Sequence, residues 1–228
     1  MTHRLFFACG LALLCGVDRV GWTALIDSPV GIAMPQTVIN FSQFSGVNTI
    51  HTQGPVQLGM NVAFSSTNLN GSLLGSGPYS FNDNGNWDDS LNLAGVDVDQ
   101  FGNDQYTMTF RFGDGPVSVV GGLVNYAVLP DNGFSDVILS ALASDGSILE
   151  SYDLTQLDPI STRNQVNVGG FRGIRRSSAD IAAFTLSNSA VAITDLTFSS
   201  AIATPELATI PMAVFGLAVL LLKARLSR

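Results

Sequence analysis

The sequence predicts an all-β protein, built as a single jelly-roll-like β-sandwich, and three observations carry this prediction. Apolar and polar residues alternate with the two-residue period of a half-buried strand, most clearly over Gln105–Phe112. Turn-forming Gly, Asn and Asp residues recur about every 8 to 12 residues, the spacing of short strands in sandwiches. No window of about 11 to 18 residues in the middle of the chain carries an apolar stripe of helical period.

Three more strands follow Gln105–Phe112 along the chain. Val117–Val128 is rich in β-branched residues, and the pair Gly121–Gly122 inside it indicates a bulge or a break. Asp136–Ala143 and Ile148–Leu154 flank a four-residue turn that contains Asp145 and Gly146. Apolar runs on both sides of such a turn predict a β-hairpin.

The last two predicted strands are Ile181–Leu186 and Ala190–Phe198. They are separated by the short polar turn Ser187–Ser189, and this spacing predicts a second hairpin. The apolar period of the second strand shifts between Ile193 and Leu196, which indicates a bulge.

Composition limits the possible partners of this domain. The chain has 228 residues and is 46% hydrophobic, so it can bury enough apolar surface to fold, which argues against disorder. Its formal charge of −8 argues against nucleic acid as a partner. Between Asp27 and Ala203 the basic residues are five arginines, set against sixteen acidic residues. Such a surface suits divalent cations or neutral ligands better than polyanions.

The N-terminus predicts an export signal over residues 1–26. Arg4 provides a positive start, and Leu5–Val17 is an apolar run within the length range of a signal peptide and too short to span a bilayer. Both cysteines, Cys9 and Cys15, lie in this run, so the exported chain is expected to contain no thiol and no disulfide. The export machinery is therefore an expected partner.

The C-terminus, residues 204–228, predicts a short transmembrane helix. Leu207–Leu222 is almost wholly apolar, and the membrane-flanking basic residues that follow are Lys223, Arg225 and Arg228. Basic residues behind a short apolar helix favour a membrane anchor whose tail stays on the cytoplasmic side. The pair Pro205–Glu206 stands just before the apolar run. Residues 27–203 remain for the sandwich domain.

This order of features resembles the PEP-CTERM sorting signal of exported bacterial proteins. In that family a Pro-Glu-Pro motif precedes a short helix and an Arg-rich end, and an exosortase is thought to remove the tail. Here Leu207 stands in place of the second proline. The resemblance implies an exosortase-like processing enzyme as a partner, and a location in the bacterial cell envelope, anchored to the membrane or released to the cell surface and extracellular matrix.

The middle of the chain also resembles the body of a group of PEP-CTERM exported proteins. The resemblance lies in four phrases, Pro116–Tyr126, Gly146–Leu154, Phe171–Ile174 and Val191–Phe198. No biochemical activity is established for this group. The resemblance therefore implies a location and a β-rich fold, and it implies no particular reaction.

The residue content gives little support to catalysis, and we expect no enzyme. Beyond the predicted signal the chain has one histidine, His51, and no cysteine, so a nucleophile–histidine pair depends on His51 alone. A pair of carboxylates able to hydrolyse a glycosidic bond stays open as an alternative, because the domain contains fifteen Asp besides Glu150.

An acidic stretch between Asn82 and Asp104 is the strongest pattern for a ligand. Asp97, Asp99 and Asp104 loosely follow the spacing of a calcium loop, although the bidentate Glu that ends such loops is absent. Calcium is thus the one cofactor that the sequence suggests. The alternative is a set of solvated turns, because Asp, Asn and Gly are ordinary turn-formers.

Two further groups of side chains have a ligand interpretation and a structural one. Tyr79 and Trp87, with Phe81, lie in a polar, Gly-rich region and either stack on sugar rings or form a small core under a loop. The basic cluster of the domain either meets phosphate or uronate or pairs with neighbouring Asp residues, and its members are Arg172, Arg175 and Arg176.

These observations favour a non-enzymatic, exported surface or matrix protein. The alternative function is a carbohydrate-binding module, with or without calcium, that contacts the exopolysaccharide.

Overall fold

The computed structural model describes residues 23–45, 50, 52–68, 72–87, 90–97, 106–127, 136–163 and 165–200. They form an all-β sandwich of two antiparallel sheets. The strands are β1 (Ala24–Ile26), β2 (Thr37–Ile39), β3 (Val56–Gln57), β4 (Val62–Ser66), β5 (Ser72–Ser76), β6 (Tyr79–Ser80), β7 (Asn86–Trp87), β8 (Asn92–Val96), β9 (Thr107–Phe112), β10 (Val119–Tyr126), β11 (Ile138–Leu142), β12 (Ile148–Asp153), β13 (Gly170–Arg175), β14 (Ala183–Ser187) and β15 (Val191–Ser199). The described residues also include one short helix, α1 (Leu154–Leu157), and two 3₁₀ turns, Pro29–Gly31 and Ser42–Phe44.

The two sheets are built mainly from strands that are distant in the sequence. Sheet A has the order β1-β13-β10-β15-β8-β5, and β2 pairs with one end of β15. Sheet B has the order β12-β11-β14-β9-β4-β3. The short strands β6 and β7 form a separate two-stranded hairpin.

The predicted alternation in β9 places one side of that strand in the core between the sheets. Met108 and Phe110 have 0% exposure, and Phe110 packs against Phe64 of β4 and Phe184 of β14. Thr109 points to the other face of sheet B. Burial of these aromatic rings supplies much of the hydrophobic stabilisation of the sandwich.

The predicted bulge in the last strand is confirmed. Gly121 of β10 lies opposite Thr197, whereas Leu123 lies opposite Thr194, so β15 carries one extra residue at this point. Asp195 takes up the irregularity with a left-handed φ of 50°. A Cβ added to Gly121 would lie 2.6 Å from the Arg172 carbonyl oxygen, which explains why glycine occupies this crowded crossing of strands.

The predicted hairpin between Asp136–Ala143 and Ile148–Leu154 is confirmed as β11 and β12. The second predicted hairpin is wrong. β14 pairs with β9 and β11 in sheet B, while β15 pairs with β10, β8 and β2 in sheet A. The connection at Asn188, whose φ is 78°, therefore carries the chain from one sheet to the other. Periodicity identified both strands and their faces, but a short turn between two strands does not by itself fix their partners.

The order of the strands gives the sandwich two distinct ends. Ala24 lies opposite Arg175, Arg175 opposite Val119, and Val119 opposite Ser199. This row places the first and last strands of the described chain three strand spacings, about 14 Å, apart at one end of sheet A. We call this the tail end, and we call the opposite end, where Tyr126 lies opposite Val191, the distal end.

The predicted targeting segments lie mostly outside the described residues. Only β1 overlaps the predicted signal peptide, and the buried Ile26 and the pairing of β1 with β13 make its last residues part of the sandwich. Residues 201–228, with the predicted anchor, are not described. Within the described part of the chain, no helix has the length and apolar character needed to cross a membrane.

The outer face of sheet A carries a third layer of structure. Two small apolar clusters pack on it, one made of Ile26, Ile32, Val119 and Phe171 and the other of Phe81, Trp87, Leu93 and Ala192. The second cluster lies under the β6–β7 hairpin and the loop 158–169.

The outer face of sheet B has a different chemistry. A row of hydroxyl side chains crosses five neighbouring strands in register, and its members are Ser65, Thr109, Thr185, Ser140 and Ser151. The Ser140 and Ser151 hydroxyl oxygens are 3.0 Å apart. Of the apolar clusters found among the described residues, none lies on this face.

Candidate functional site

A groove of about 360 Å³ lies on the outer face of sheet A, beside the β6–β7 hairpin. Leu73 of β5 and Leu93 of β8 form its apolar part, and two glycines and a proline leave the edge open. Its polar groups are Ser76, Tyr79, Ser80 and Asp97. The groove therefore brings together Tyr79 and Asp97, two residues that the sequence singled out for separate reasons.

Tyr79 reaches the groove because the β6–β7 hairpin folds back on sheet A. Its ring centroid is 4.8 Å from that of Phe81, and its hydroxyl donates to the Val96 carbonyl oxygen at 3.4 Å. Burial, followed by the nearby Asp97 carboxylate, raises the pKa of the Tyr79 hydroxyl above its ordinary value. The phenol consequently stays protonated and acts as a hydrogen-bond donor at physiological pH.

The hairpin has its shape because of the turn between its strands. Asn82 and Gly85 both have a left-handed φ, of 53° and 79°, and the Gly85 amide donates to the Asn82 carbonyl oxygen at 2.9 Å. A Cβ on Gly85 would collide with the Gln165 carbonyl oxygen, so glycine serves both the backbone conformation and the close approach of the loop 158–169.

Trp87 belongs to the packing under the hairpin. Its side chain has 0% exposure, its ring meets Phe81 edge-on at 5.1 Å, and its indole N–H donates to Asn167 Oδ1 at 3.3 Å. A ring that stacks on a sugar needs a solvent-facing side, which Trp87 lacks. The structure thus corrects the stacking role predicted for Trp87 and places it in a satellite core, the alternative that the sequence left open.

A buried amide network, which no sequence pattern predicts, holds this layer to sheet A. Asn125 of β10 has 0% exposure, and its side-chain amide donates to the Asn84 carbonyl oxygen at 3.1 Å and to Asn167 Oδ1 at 3.0 Å. Asn84 returns a hydrogen bond from its own amide to the Tyr126 carbonyl oxygen, and Thr162 donates to the Asn84 carbonyl oxygen. Asn84 lies in the acidic stretch for which calcium was considered, and in the structure its hydrogen bonds stabilise the fold.

The other residues predicted for calcium are not brought together in the described structure. Asp97 lies at the distal end of β8, whereas Asp99 and Asp104 lie outside the described residues. Across the described ranges no group of three or more His, Cys, Asp or Glu side chains has the arrangement of a metal site. The calcium site stays a prediction that depends on residues 98–105. His51 also lies outside the described residues.

The basic cluster follows the structural interpretation at two of its three positions. Arg172 pairs with Asp158 at 2.9 Å and holds one end of the loop 158–169. Arg176 pairs with Glu150 at 2.5 Å and with Asp180 at 2.6 Å, which connects the edges of the two sheets near the tail end. Arg175 donates to the Gly31 carbonyl oxygen at 3.4 Å.

The sorting motif Pro205–Glu206 and the basic residues Lys223, Arg225 and Arg228 all lie outside the described residues. Comparison of the whole chain with models of known protein families and with curated proteins finds no match. The geometry of the groove and of the chain ends is therefore what supports a function.

Proposed function

We propose that this chain is a non-enzymatic, exported surface protein, and that its C-terminal segment is a PEP-CTERM-like sorting signal. The observation that carries the proposal is the row from Ala24 to Ser199, because both predicted targeting segments then leave the sandwich from one end. A sandwich that is joined to a membrane through a segment at its tail end presents its distal end away from that membrane. The sandwich includes β1, so the N-terminal boundary of the domain moves from the predicted residue 27 to Ala24, and we place the domain in the jelly-roll-like class because its sheet neighbours are mostly distant in sequence.

The departure at Leu207 provides a direct test of the sorting signal. In a host with an exosortase, Leu207→Pro completes the Pro-Glu-Pro motif and is expected to increase the released fraction of the chain. Pro205→Ala is the matched control and is expected to leave more of the chain in the membrane. The measurement is the ratio of membrane-bound to released protein. Equal ratios for both variants and the parent chain would rule out this kind of processing.

A second function, carbohydrate binding, is favoured by the groove beside Tyr79. An aromatic ring next to apolar side chains offers a surface for the C–H face of a sugar, and hydroxyl and carboxylate groups at the rim offer partners for its hydroxyls. Tyr79 supplies the ring, while Ser76, Ser80 and Asp97 supply the polar groups. The domain is acidic overall, which favours a neutral glycan over an anionic one.

Polysaccharide binding by the purified chain tests this second function. We expect Tyr79→Ala to weaken retention on a neutral polysaccharide by about tenfold, the effect of losing about 1.4 kcal/mol. Tyr79→Phe keeps the ring and is expected to lose less, and Asp145→Asn, in the exposed β11–β12 turn, is the control for general surface effects. Equal retention by Tyr79→Ala and Asp145→Asn would exclude the groove as the binding site.

The same assay, repeated with calcium and with a chelator, separates the metal from the sugar. Retention lost in chelator supports a calcium ion held by Asp97, Asp99 and Asp104, and Asp99→Asn should then reproduce the loss. Retention unchanged in chelator leaves carbohydrate binding without a metal.

A further inference from the structure

An uncharged segment at the tail end exposes hydrophobic side chains that take no part in the packing of the sandwich. Pro29–Val38, which we call the strap, contains no charged residue and crosses the outer face of sheet A. One side of it is used by the fold, because Ile32 packs with Ile26, Val119 and Phe171. The other side faces solvent.

Three of the eight large apolar side chains that are exposed in the described part of the chain lie in the strap. Val30 is 91% exposed, Met34 is 75% exposed and Val38 is 48% exposed. A single exposed apolar side chain is normal, but several along one uncharged segment indicate a contact surface.

The strap lies where the chain leaves the sandwich toward its C-terminus. The Ser199 hydroxyl, at the end of β15, donates to the Pro35 carbonyl oxygen at 2.8 Å, and β2 pairs with the last residues of the same strand. The Arg175 guanidinium donates to the Gly31 carbonyl oxygen and holds the other end of the strap. The exposed side chains therefore lie beside the exit of the C-terminal segment.

The length of chain after Ser199 limits how far this end can be from a membrane. The apolar run predicted as the anchor begins at Leu207, which leaves seven residues, Ser200–Glu206, as a spacer. Fully extended, seven residues reach at most about 25 Å. A short tether of this kind gives the strap a high effective concentration at the lipid surface, so weak insertion of a few side chains is sufficient for contact.

We propose that the strap is a membrane-contact surface, in which Val30, Met34 and Val38 rest on the lipid surface that holds the C-terminal anchor. This inference depends on the proposed anchor. Contact at the tail end would orient the sandwich, with its distal end directed away from the bilayer.

The experiment places a single fluorescent label on the full chain in vesicles of phosphatidylcholine and phosphatidylglycerol. Cys9 and Cys15 are replaced by serine, and Met34→Cys carries an environment-sensitive dye. Leu157→Cys, on α1 near the distal end and 62% exposed, is the matched control. We expect doxyl-labelled lipid to quench most of the emission at position 34 and little of it at position 157.

Each outcome supports or overturns the proposal. Equal quenching at positions 34 and 157 in a chain that floats with the vesicles would overturn the membrane contact while leaving the anchor intact. A chain that does not float with the vesicles would overturn the anchor and the contact together. Disulfide-linked dimers of the unlabelled Met34→Cys chain, formed with copper phenanthroline as oxidant, together with no quenching of the labelled chain, would assign the strap to a second copy of the chain. Should Met34→Cys fold poorly, Val30→Cys reports on the same surface from a side chain that is 91% exposed.

Discussion

One outer face of this sandwich is covered by further structure, and the other is not covered by any apolar cluster of the described residues. The outer face of sheet A supports two apolar clusters, a buried amide network and the candidate groove, whereas the outer face of sheet B presents a row of hydroxyl side chains. β10 in sheet A is buried along most of its length, while β9 in sheet B alternates between buried and more exposed residues. The sequence of a strand is continuously apolar when both of its faces are covered, and it alternates between apolar and polar residues when one face is exposed to solvent.

This difference indicates where substitutions will affect stability. The third layer on sheet A depends on specific packing and on satisfied buried polar groups, both of which are costly to break. The hydroxyl row on sheet B is made of small side chains, and Ser65, Thr109 and Ser151 along it are not buried.

Trp87→Ala is expected to destabilise the fold by about 3 to 5 kcal/mol. The substitution removes a fully buried ring, leaves a cavity against Phe81 and takes a donor from Asn167. Urea unfolding monitored by far-UV circular dichroism measures the change. A loss below about 1 kcal/mol would mean that the third layer contributes little to stability.

Asn125→Ala is expected to cost about 1 to 3 kcal/mol, because the Asn84 carbonyl oxygen and the Tyr126 amide lose buried hydrogen-bond partners. Asn86→Ala, at an exposed position of β7, is the matched control for removing an asparagine side chain. Denaturant midpoints for the two variants give the comparison. Equal losses of stability in the two variants would show that the buried network contributes no more than an exposed asparagine side chain.

The ion pairs of Arg176 are expected to weaken in acid through Asp180. Burial raises the pKa of this carboxyl, but the hydrogen bonds from Arg176 and Ser178 together outweigh burial, so its pKa lies below the ordinary value of 3.8. A lowered folded-state pKa contributes stability above the unfolded value, and that contribution is lost as the pH falls through the folded value.

Asp180→Asn should therefore show a smaller loss of stability than the parent chain between about pH 5 and about pH 2. Because the pair is partly exposed, we expect an effect of at most about 1 kcal/mol. Denaturant midpoints across this range test the point. Parallel pH profiles for the two proteins would contradict a role for Asp180.

Thr109→Ala, in the hydroxyl row, is expected to change stability by no more than about 0.5 kcal/mol. The side chain is half-buried on the outer face of sheet B, and the core side of the strand is untouched. The same unfolding assay gives the value. A loss comparable to that of Asn125→Ala would remove the contrast between the two faces.

Much of the fold was predictable from local patterns. The alternation of Met108, Phe110 and Thr109 identified β9 and its buried side, and the phase shift before Leu196 identified the bulge in β15. The partners of β14 and β15 were not predictable, because a period of two residues assigns the faces of a strand and leaves its neighbours open.

The candidate site was only partly predictable. Tyr79 and Asp97 were singled out for different ligands, a sugar ring and calcium, and no pattern in the sequence places them in one groove. Trp87 and Tyr79 looked alike as aromatics in a polar region, and only packing under the hairpin separates the buried ring from the half-buried one. Asn125, central to the buried network, has no local pattern that distinguishes it from a surface asparagine.

By itself, the sequence determined the all-β class, the positions of six strands (β9, β10, β11, β12, β14 and β15) and the acidic character of the domain, because these properties depend on composition and on period along the chain. It also contains the predicted signals at both termini. The tertiary structure decided which strands share a sheet, which outer face is covered, and which polar residues are buried. These features depend on contacts between residues far apart in the chain, such as Asn84 with Asn125 or Asp158 with Arg172, and no local period encodes them.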